Sequence, residues 1–220
     1  MTLAAPPPIQ PLSVAETTSQ PDPHRYRALA PVAPEGPLDP DQVLPGTGPL
    51  ELEIGFGRGL FLFERAAAHP EVRMLGVEIK RKWAYKVEQR AAALELHNVK
   101  VWSGDVRVLL GQLPEGCLTR VFMHFPDPWW KKRHAARRLT GDVLLDAIAR
   151  VLKPGGELFV QSDVEDRAEA HLAAIREHAA FRPGGQDGVI EANPYDGRSN
   201  REVRADEDGL PVYRTLAIKL

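Results

Sequence analysis

The chain has little cysteine: Cys117 stands alone among 220 residues. A single cysteine allows neither a disulfide framework nor a cysteine-based zinc site. The seven histidines lack the spacing of metal ligands, so we expect no bound metal. There is no run of about 18 apolar residues and no basic-then-apolar signal segment, so we expect a cytoplasmic protein with no membrane partner. The formal net charge of -2 argues against a general nucleic-acid binder, because such a protein needs an excess of cations.

Proline is concentrated at one end of the chain, with 12 of the 20 prolines in residues 1–49. Since this segment has almost no apolar periodicity, we expect a Pro-rich, largely irregular N-terminal arm. Its His-Arg-Tyr-Arg stretch at 24–27 suits either a contact to RNA or a plain tether.

Residues 50–220 alternate between strand-like and helix-like apolar patterns, which is typical of a doubly wound α/β domain with a mostly parallel sheet. The strands are predicted at about 50–54, 73–78, 99–103, 118–124, 156–162 and 212–220. The helices are predicted at about 59–68, 81–96, 105–111, 141–152 and 163–179.

A glycine-spaced turn follows the first predicted strand, with Gly55, Gly57 and Gly59 at alternate positions. Glycine permits unusual backbone angles and lets a ligand approach the main chain closely. The spacing differs from the Gly-x-Gly-x-x-Gly of dinucleotide binders, and no Gly-Lys-Ser/Thr follows, which excludes a P-loop. A tight strand-to-helix turn without a ligand is the alternative interpretation.

Acidic residues stand at or just after the ends of three predicted strands. Glu53 lies just before the glycine turn, and Glu78 lies 19 residues after Gly59, where an acid commonly receives ribose hydroxyls. Glu53 suits a cationic ligand better than a pyrophosphate. The pattern therefore favours S-adenosylmethionine, which carries an ammonium and a sulfonium, over NAD. Asp105, after the third strand, suits an adenine contact and a helix N-cap equally well.

The most informative stretch is residues 121–138, which read VFMHFPDPWWKKRHAARR. Proline fixes φ and disfavours helix in the residue before it. Pro126 and Pro128 should therefore hold Asp127 in a rigid turn at the carboxyl end of a strand, where ligands of open α/β sheets bind. Two aromatic rings and five cations follow: Trp129, Trp130, Lys131, Lys132, Arg133, Arg137 and Arg138. The run suits chemistry on a nucleic-acid base, with the tryptophans stacking on the base or bracing the turn; the alternative is a solvated basic loop.

These motifs resemble those of the bacterial tRNA (guanine-N7-)-methyltransferases from about Leu50 to Leu220. The most specific match is Phe-Pro-Asp-Pro-Trp-x-Lys-x-Arg-His-x-x-Arg-Arg at residues 125–138. Leu-Glu-Ile-Gly-Phe-Gly matches at 52–57, Gly-Val-Glu matches at 76–78, and the family's Thr-x-x-Glu element is similar to Ser199–Glu202. The resemblance implies a Rossmann-like class I methyltransferase fold with a seven-stranded sheet and an antiparallel strand near the C-terminus.

The resemblance also implies roles for individual side chains, with Asp127 as the catalytic residue. The expected donor-binding residues are Glu53, Gly55, Gly57, Glu78 and Asp105. The expected substrate-binding residues are Lys131, Asp163, Ser199 and Glu202. The candidates for contacts to the RNA backbone are Arg133, Arg137 and Arg138.

The implied reaction is transfer of a methyl group from S-adenosylmethionine to N7 of a tRNA guanine, for the family at variable-loop position 46. N7 has a lone pair and no proton, so its attack needs no general base, and the enzyme's task is alignment and electrostatic complementarity. We expect Asp127 to anchor guanine through N1–H and the exocyclic amine. We expect tRNA as the partner and no obligate protein partner.

Other functions are weighed against this one. A class I methyltransferase acting on another RNA, on a protein or on a small molecule is the main alternative, although a small substrate has no use for five cations. An NAD-dependent oxidoreductase is disfavoured by the glycine spacing. A non-catalytic RNA-binding protein is disfavoured by the intact acids at the strand ends.

Overall fold

The computed structural model describes residues 23–126 and 139–220, which fold around one seven-stranded sheet of order β3-β2-β1-β4-β5-β7-β6. The strands are β1 (Leu50–Ile54), β2 (Arg73–Glu78), β3 (Val99–Ser103), β4 (Leu118–His124), β5 (Leu152–Ser162), β6 (Phe181–Pro183) and β7 (Tyr213–Lys219). The helices are α1 (Pro23–Leu29), α2 (Pro40–Val43), α3 (Leu60–Ala68), α4 (Arg81–Ala93), α5 (Val106–Gln112), α6 (Leu139–Val151), α7 (Glu165–Glu177) and α8 (Asn200–Glu207).

The topology confirms the predicted class I arrangement. β1 to β5 run parallel, with β1 between β2 and β4. β7 is antiparallel to β5, and β6 is antiparallel to β7. All five parallel strands therefore end at one edge of the sheet, where a doubly wound fold binds its ligands.

Strands β1 to β4 have the predicted bounds, because each is a short apolar run between polar or glycine-containing segments. β5 begins at Leu152, earlier than predicted, because Leu152 pairs with Leu118 across an irregularity in the ladder. The Pro-Gly-Gly sequence at 154–156 therefore lies inside the strand. β6 and α8 were not located from the sequence: the three residues of β6 are too few for a periodic signal, and α8 is a short helix made almost entirely of polar residues.

Helices cover both faces of the sheet and form two apolar cores. The core on the α3 and α4 face contains the fully buried rings of Phe61, Phe63, Phe122 and Phe159. The core on the opposite face collects aliphatic side chains from α5, α6 and α7, such as Ile148. Burial of each such side chain stabilises the fold by about 1.5–3 kcal/mol relative to exposure, which makes the sheet a firm support for side chains at its edge.

Part of the Pro-rich N-terminal segment packs on the domain. Leu38 and Leu44 are 4% and 5% exposed within the aliphatic core. Ser103 N donates a hydrogen bond of 2.7 Å to Pro31 O, and the rings of Tyr26 and Tyr85 lie 5.7 Å apart. Residues 23–49 thus contribute two short helices and core contacts, and the division of the chain at residue 49 stays a prediction.

Candidate donor and substrate site

The glycine turn between β1 and α3 leaves open space beside its backbone. Gly55 and Gly57 have φ of 74° and 55°, in the left-handed region that favours glycine. A Cβ added at either position meets no described atom within 4 Å. Gly59 differs, because a Cβ there would come within 2.9 Å of the Val87 side chain. The first two glycines therefore suit close approach of a ligand, whereas the third allows α3 to pack on α4.

Glu78, at the end of β2, points its carboxylate at this turn. Its Oε2 accepts the Gly57 N–H at 3.0 Å, and its Oε1 accepts the Lys80 N–H at 2.8 Å. A carboxylate has about four acceptor positions, so two remain for further hydrogen bonds. The side chain thus orders the turn and retains the capacity to accept both hydroxyls of a ribose.

An open pocket of about 440 Å³ lies beside Glu78, between the N-terminal segment, the end of β2 and the start of α5. Val32, Ile79 and Val108 line it, although each is more than 60% exposed. Large apolar side chains left exposed around one concavity are typical of a ligand site. The pocket has the apolar walls that a purine ring requires.

Asp105 lines the same pocket and caps α5. Its Oδ1 accepts the Arg107 N–H at 2.9 Å, and the two side chains form an ion pair. That bond raises the pKa of Arg107. The N-cap alternative is therefore present, while the adenine contact stays a prediction.

Glu53 is buried at the end of β1 and pairs with a residue of β4. Its Oε1 lies 2.9 Å from Nδ1 of His124, and both side chains are 2% exposed. Because a carboxylate accepts, the hydrogen bond places a proton on Nδ1. The Phe61 ring lies 4.3 Å from the imidazole and closes this side of the pair. Glu53 Oε2 has no hydrogen-bond partner among the described residues, and its role towards a donor ammonium stays a prediction.

Phe125 follows His124 in an unusual backbone conformation. Its φ is 50°, which is rare for a bulky non-glycine residue. Its N–H donates a hydrogen bond of 2.9 Å to Gln161 O, at the end of β5. Backbone strain of this kind costs of order 1–3 kcal/mol and is found mainly at functional sites. The strain lies immediately before the Pro-Asp-Pro motif.

The expected substrate-binding residues of the C-terminal half gather at the ends of β5 and α8. Asp163 accepts a hydrogen bond of 2.9 Å from Arg201 Nε. Ser199 is the N-cap of α8, and its Oγ accepts the Glu202 N–H at 3.1 Å. The motif thus takes one half of a capping box, because the glutamate side chain turns towards the sheet instead of the cap.

Glu202 is the centre of a buried hydrogen-bond network. It is 2% exposed, and its Oε1 accepts bonds of 2.8 Å from Gln161 Nε2 and 3.0 Å from Arg214 Nη2. Asn193 Nδ2 lies 3.4 Å from its second oxygen. Among the described residues, the carboxylate of Glu202 is therefore hydrogen-bonded to side chains of β5, β7 and the segment before α8.

An ionic cluster lies on the same face, deeper under the strand ends. Buried Glu51 binds Arg65 at 2.9 Å and Arg120 at 2.7 Å, and Arg120 Nε also reaches Glu157 at 2.5 Å. Burial alone would lower the pKa of Arg120, but its hydrogen bonds to both carboxylates raise it. Burial raises the pKa of Tyr195, whose hydroxyl donates to Glu157 at 3.2 Å. The cluster ties β1, α3, β4 and β5 together beneath the strand ends.

Several sequence predictions fall outside the described residues. These are Asp127, Trp129, Trp130, Lys131, Lys132, Arg133, Arg137 and Arg138. Their roles rest on the motif alone.

His124 and Gln161 were missed by the sequence analysis. Both are polar residues near the end of an otherwise apolar strand, and that pattern was the available signal. Burial raises the pKa of Cys117 to about 11, which keeps the thiol protonated at neutral pH.

Across residues 23–126 and 139–220 there is no group of three His, Cys, Asp or Glu side chains arranged to hold a metal. Within the same ranges, every helix is too short or too polar to cross a bilayer. The predictions about metals, membranes and localisation stay predictions.

Comparison with solved structures supports the fold. A SAM-dependent methyltransferase from Aquifex aeolicus matches with a TM-score of 0.55 at 17% identity, covering 90% of this chain and 99% of that one. The 16S rRNA methyltransferase KamB matches with a TM-score of 0.58 at 15% identity, covering 86% and 98%. At such identities the likeness shows a class I methyltransferase fold alone.

Sequence comparison gives a more specific result. A family model described as a putative methyltransferase matches residues 47–215. A protein of Rhodospirillum rubrum is 44% identical over 149 residues, which span 66% of this chain and 57% of the relative. Relatives from Microcystis aeruginosa and Myxococcus xanthus are 36% and 37% identical, cover 88% and 86% of this chain, and are themselves covered to 92%. All three are named tRNA (guanine-N(7)-)-methyltransferase, and the chain belongs to the family of these enzymes.

Proposed function

We propose that this protein transfers a methyl group from S-adenosylmethionine to N7 of a guanine in tRNA, at variable-loop position 46. The observation that carries the proposal is identity of 36–37% over nearly the full length of relatives named for this reaction. The geometry at the carboxyl ends of β1, β2 and β3 supports a donor of this kind.

The described residues fit the donor. Gly55 and Gly57 leave open space beside the backbone, and Glu78 has acceptor positions for the ribose hydroxyls. Ile79 and Asp105, on the wall of the adjoining pocket, would hold the adenine. When bound, the donor supplies a methyl group on a cationic sulfur, which is an electrophile.

The chemistry asks little of the protein beyond placement and charge. Guanine N7 attacks with a lone pair, so no residue has to remove a proton. Asp127 would accept hydrogen bonds from N1–H and the exocyclic amine, which aligns the ring. Its negative charge would also stabilise the positive charge that develops on the purine. The proposed catalytic role of Asp127 is therefore anchoring and electrostatic stabilisation.

The substrate side of the site is proposed from its charges. Asp163 and Ser199, together with the buried Glu202, lie beside β5 and α8. The cationic run that begins at Lys131 would bind phosphates, with a salt-dependent affinity. Because the target guanine belongs to the folded core of tRNA, it would have to leave its stack to reach the donor.

A methyltransferase acting on another RNA or on a small molecule is the second candidate. Only the fold-level likeness to enzymes such as KamB favours another RNA. The five cations of residues 131–138 argue against a small substrate.

The test uses purified protein, labelled S-adenosylmethionine and unmodified tRNA transcripts. One transcript carries guanine at position 46, and a matched one carries 7-deazaguanine there, which replaces N7 by a C–H group. We expect label in the first and none in the second, with chain cleavage by borohydride and aniline only at position 46 of the first. Equal labelling of both transcripts would reject N7 as the acceptor, and labelling of ribosomal RNA instead of tRNA would favour the second candidate.

A further inference from the structure

A row of polar side chains, all buried except Arg214, which is 15% exposed, crosses one face of the sheet beside the candidate site. It runs from Glu53 on β1 through His124 on β4 and Gln161 on β5 to Arg214 on β7. His124 and Gln161 are register partners, as are Gln161 and Arg214. Glu202, on α8, accepts hydrogen bonds from Gln161 at 2.8 Å and from Arg214 at 3.0 Å. The row therefore links the donor side of the site to the substrate side.

The row is not fully hydrogen-bonded within the described residues. Four buried side-chain atoms of this row lack a hydrogen-bond partner among the described residues: Glu53 Oε2, His124 Nε2, Gln161 Oε1 and Arg214 Nε. An unpaired buried polar atom costs about 1–3 kcal/mol. Apolar side chains of the same shape would serve a purely structural role better. A concentration of unpaired polar atoms at one place therefore indicates function.

Two members of the row hold the strained turn that follows β4. His124 precedes Phe125 in the chain, and the main-chain carbonyl of Gln161 accepts the Phe125 N–H at 2.9 Å, while the Gln161 side chain anchors this end of β5 to Glu202 at 2.8 Å. A φ of 50° at Phe125 persists only where its surroundings maintain it. Both side chains are hydrogen-bonded to a buried carboxylate, His124 to Glu53 and Gln161 to Glu202.

We propose that His124 and Gln161 are positioning residues for methyl transfer. Together they fix the direction in which the chain leaves β4, and Asp127 follows two residues after Phe125. Neither side chain needs to touch the reacting atoms. The inference rests on the proposed function, because it assumes that Asp127 aligns the guanine.

The proposal gives Glu53 and Glu202 an indirect role as well. Both are at most 2% exposed, and each accepts a hydrogen bond from a member of the row. Glu53 acts through His124, and Glu202 acts through Gln161. Loss of either partner should therefore slow the chemical step more than it weakens binding.

The test compares His124→Phe and Gln161→Met with His171→Phe. Phenylalanine and methionine keep the approximate shape while they remove the hydrogen bonds to Glu53 and Glu202. His171 is a matched control, since it is 6% exposed, as deeply buried as His124, but lies on α7 outside the row. The measurements are the single-turnover methylation rate at saturating tRNA and S-adenosylmethionine, the Kd of each, and Tm.

We expect both row variants to lower the single-turnover rate tenfold or more while each Kd stays within twofold of the wild type. His171→Phe should leave the rate unchanged even if Tm falls. Unchanged rates in the folded row variants, an equal loss in His171→Phe, or a loss confined to Kd would overturn the inference. If His124→Phe does not fold, Gln161→Met decides alone, because Glu202 keeps Arg214 and Asn193 as partners. If the wild-type enzyme methylates tRNA and the variants do so at the same rate, only this inference is rejected. If the wild-type enzyme transfers no methyl group to tRNA, the proposed function is rejected and the inference with it.

Discussion

Replacing Glu78 tests the proposed donor site most directly, because the burial and both backbone hydrogen bonds of this carboxylate are known. It is 7% exposed, and its two oxygens already accept the N–H groups of Gly57 and Lys80 at 3.0 Å and 2.8 Å. The free acceptor positions point away from these bonds. Glu78→Ala removes the proposed acceptor of the ribose hydroxyls, and the turn at Gly57 loses its hydrogen bond to the carboxylate.

The magnitude follows from the charge on the acceptor. Hydrogen bonds to a charged group contribute about 1.5–3 kcal/mol, which is roughly a 10- to 150-fold weaker Kd for S-adenosylmethionine. Glu78→Gln keeps the shape and one acceptor oxygen but loses the charge, so its loss should lie near the lower end. In that variant an amide N–H also faces one backbone N–H, which prevents full recovery of the turn.

Isothermal calorimetry with S-adenosylmethionine measures the loss, and thermal melts confirm that each variant is folded. Glu88→Gln is the matched control, because Glu88 lies on α4, is 35% exposed and stands 4.0 Å from Lys100. The control should bind the donor like the wild type. An unchanged Kd in folded Glu78→Ala would refute the assignment of Glu78 to the donor.

Four other outcomes are expected. Asp127→Asn should cost roughly 2–4 kcal/mol of transition-state stabilisation in single-turnover methylation, with donor binding retained and no basic limb in the pH–rate profile; near wild-type rates would point to Asp163 instead. Neutralising the cations of the basic run should flatten the salt dependence of tRNA binding by roughly 0.9 log–log units or less per contact, and an unaltered slope would identify a solvated face; the residues are Lys131, Arg133, Arg137 and Arg138. Val32→Asp places a carboxylate on the pocket wall and should weaken donor binding without affecting tRNA affinity, so equal calorimetric titrations would exclude the N-terminal segment from the donor site. Burial, with a smaller effect of Arg167, lowers the pKa of His171 to about 4 from 6.5, so the unfolded chain takes up the proton first; stability is full above about pH 6.5 and falls towards pH 4, and melts of His171→Phe across this range should show a smaller loss of Tm than the wild type.

Most of the fold was predictable because its signals are local. β1 to β4 are apolar runs bounded by turn residues, and α3 and α4 carry an apolar face at helical spacing. Alternation of the two element types then requires a parallel doubly wound sheet. The start of β5 was missed, since its Pro-Gly-Gly sequence is locally a helix stop and only pairing with β4 makes it part of a strand.

The candidate site was predictable where function depends on a motif. Gly55, Gly57 and Glu78 lie together at the strand ends, as the spacing indicated. Asp105 shows the limit of such reasoning, because the same aspartate satisfies a helix N-terminus and lines the pocket. The sequence pattern left the N-cap and the adenine contact open; the structure shows the N-cap, and the adenine contact stays a prediction.

The sequence by itself determined the order of the five parallel strands and of the helices between them, the glycine turn, the acids at the strand ends and the family. These depend on residues within a few positions of each other, where periodicity, proline and glycine act directly on the backbone. Tertiary structure alone decided that Glu53 meets His124 across 71 residues, that the main-chain carbonyl of Gln161 binds the Phe125 N–H, and that Val32 lines the pocket beside Glu78. Such pairs form only once parallel strands bring distant segments to one edge of the sheet, and the free energy that keeps Phe125 at a φ of 50° comes from that packing, not from its neighbours in the chain.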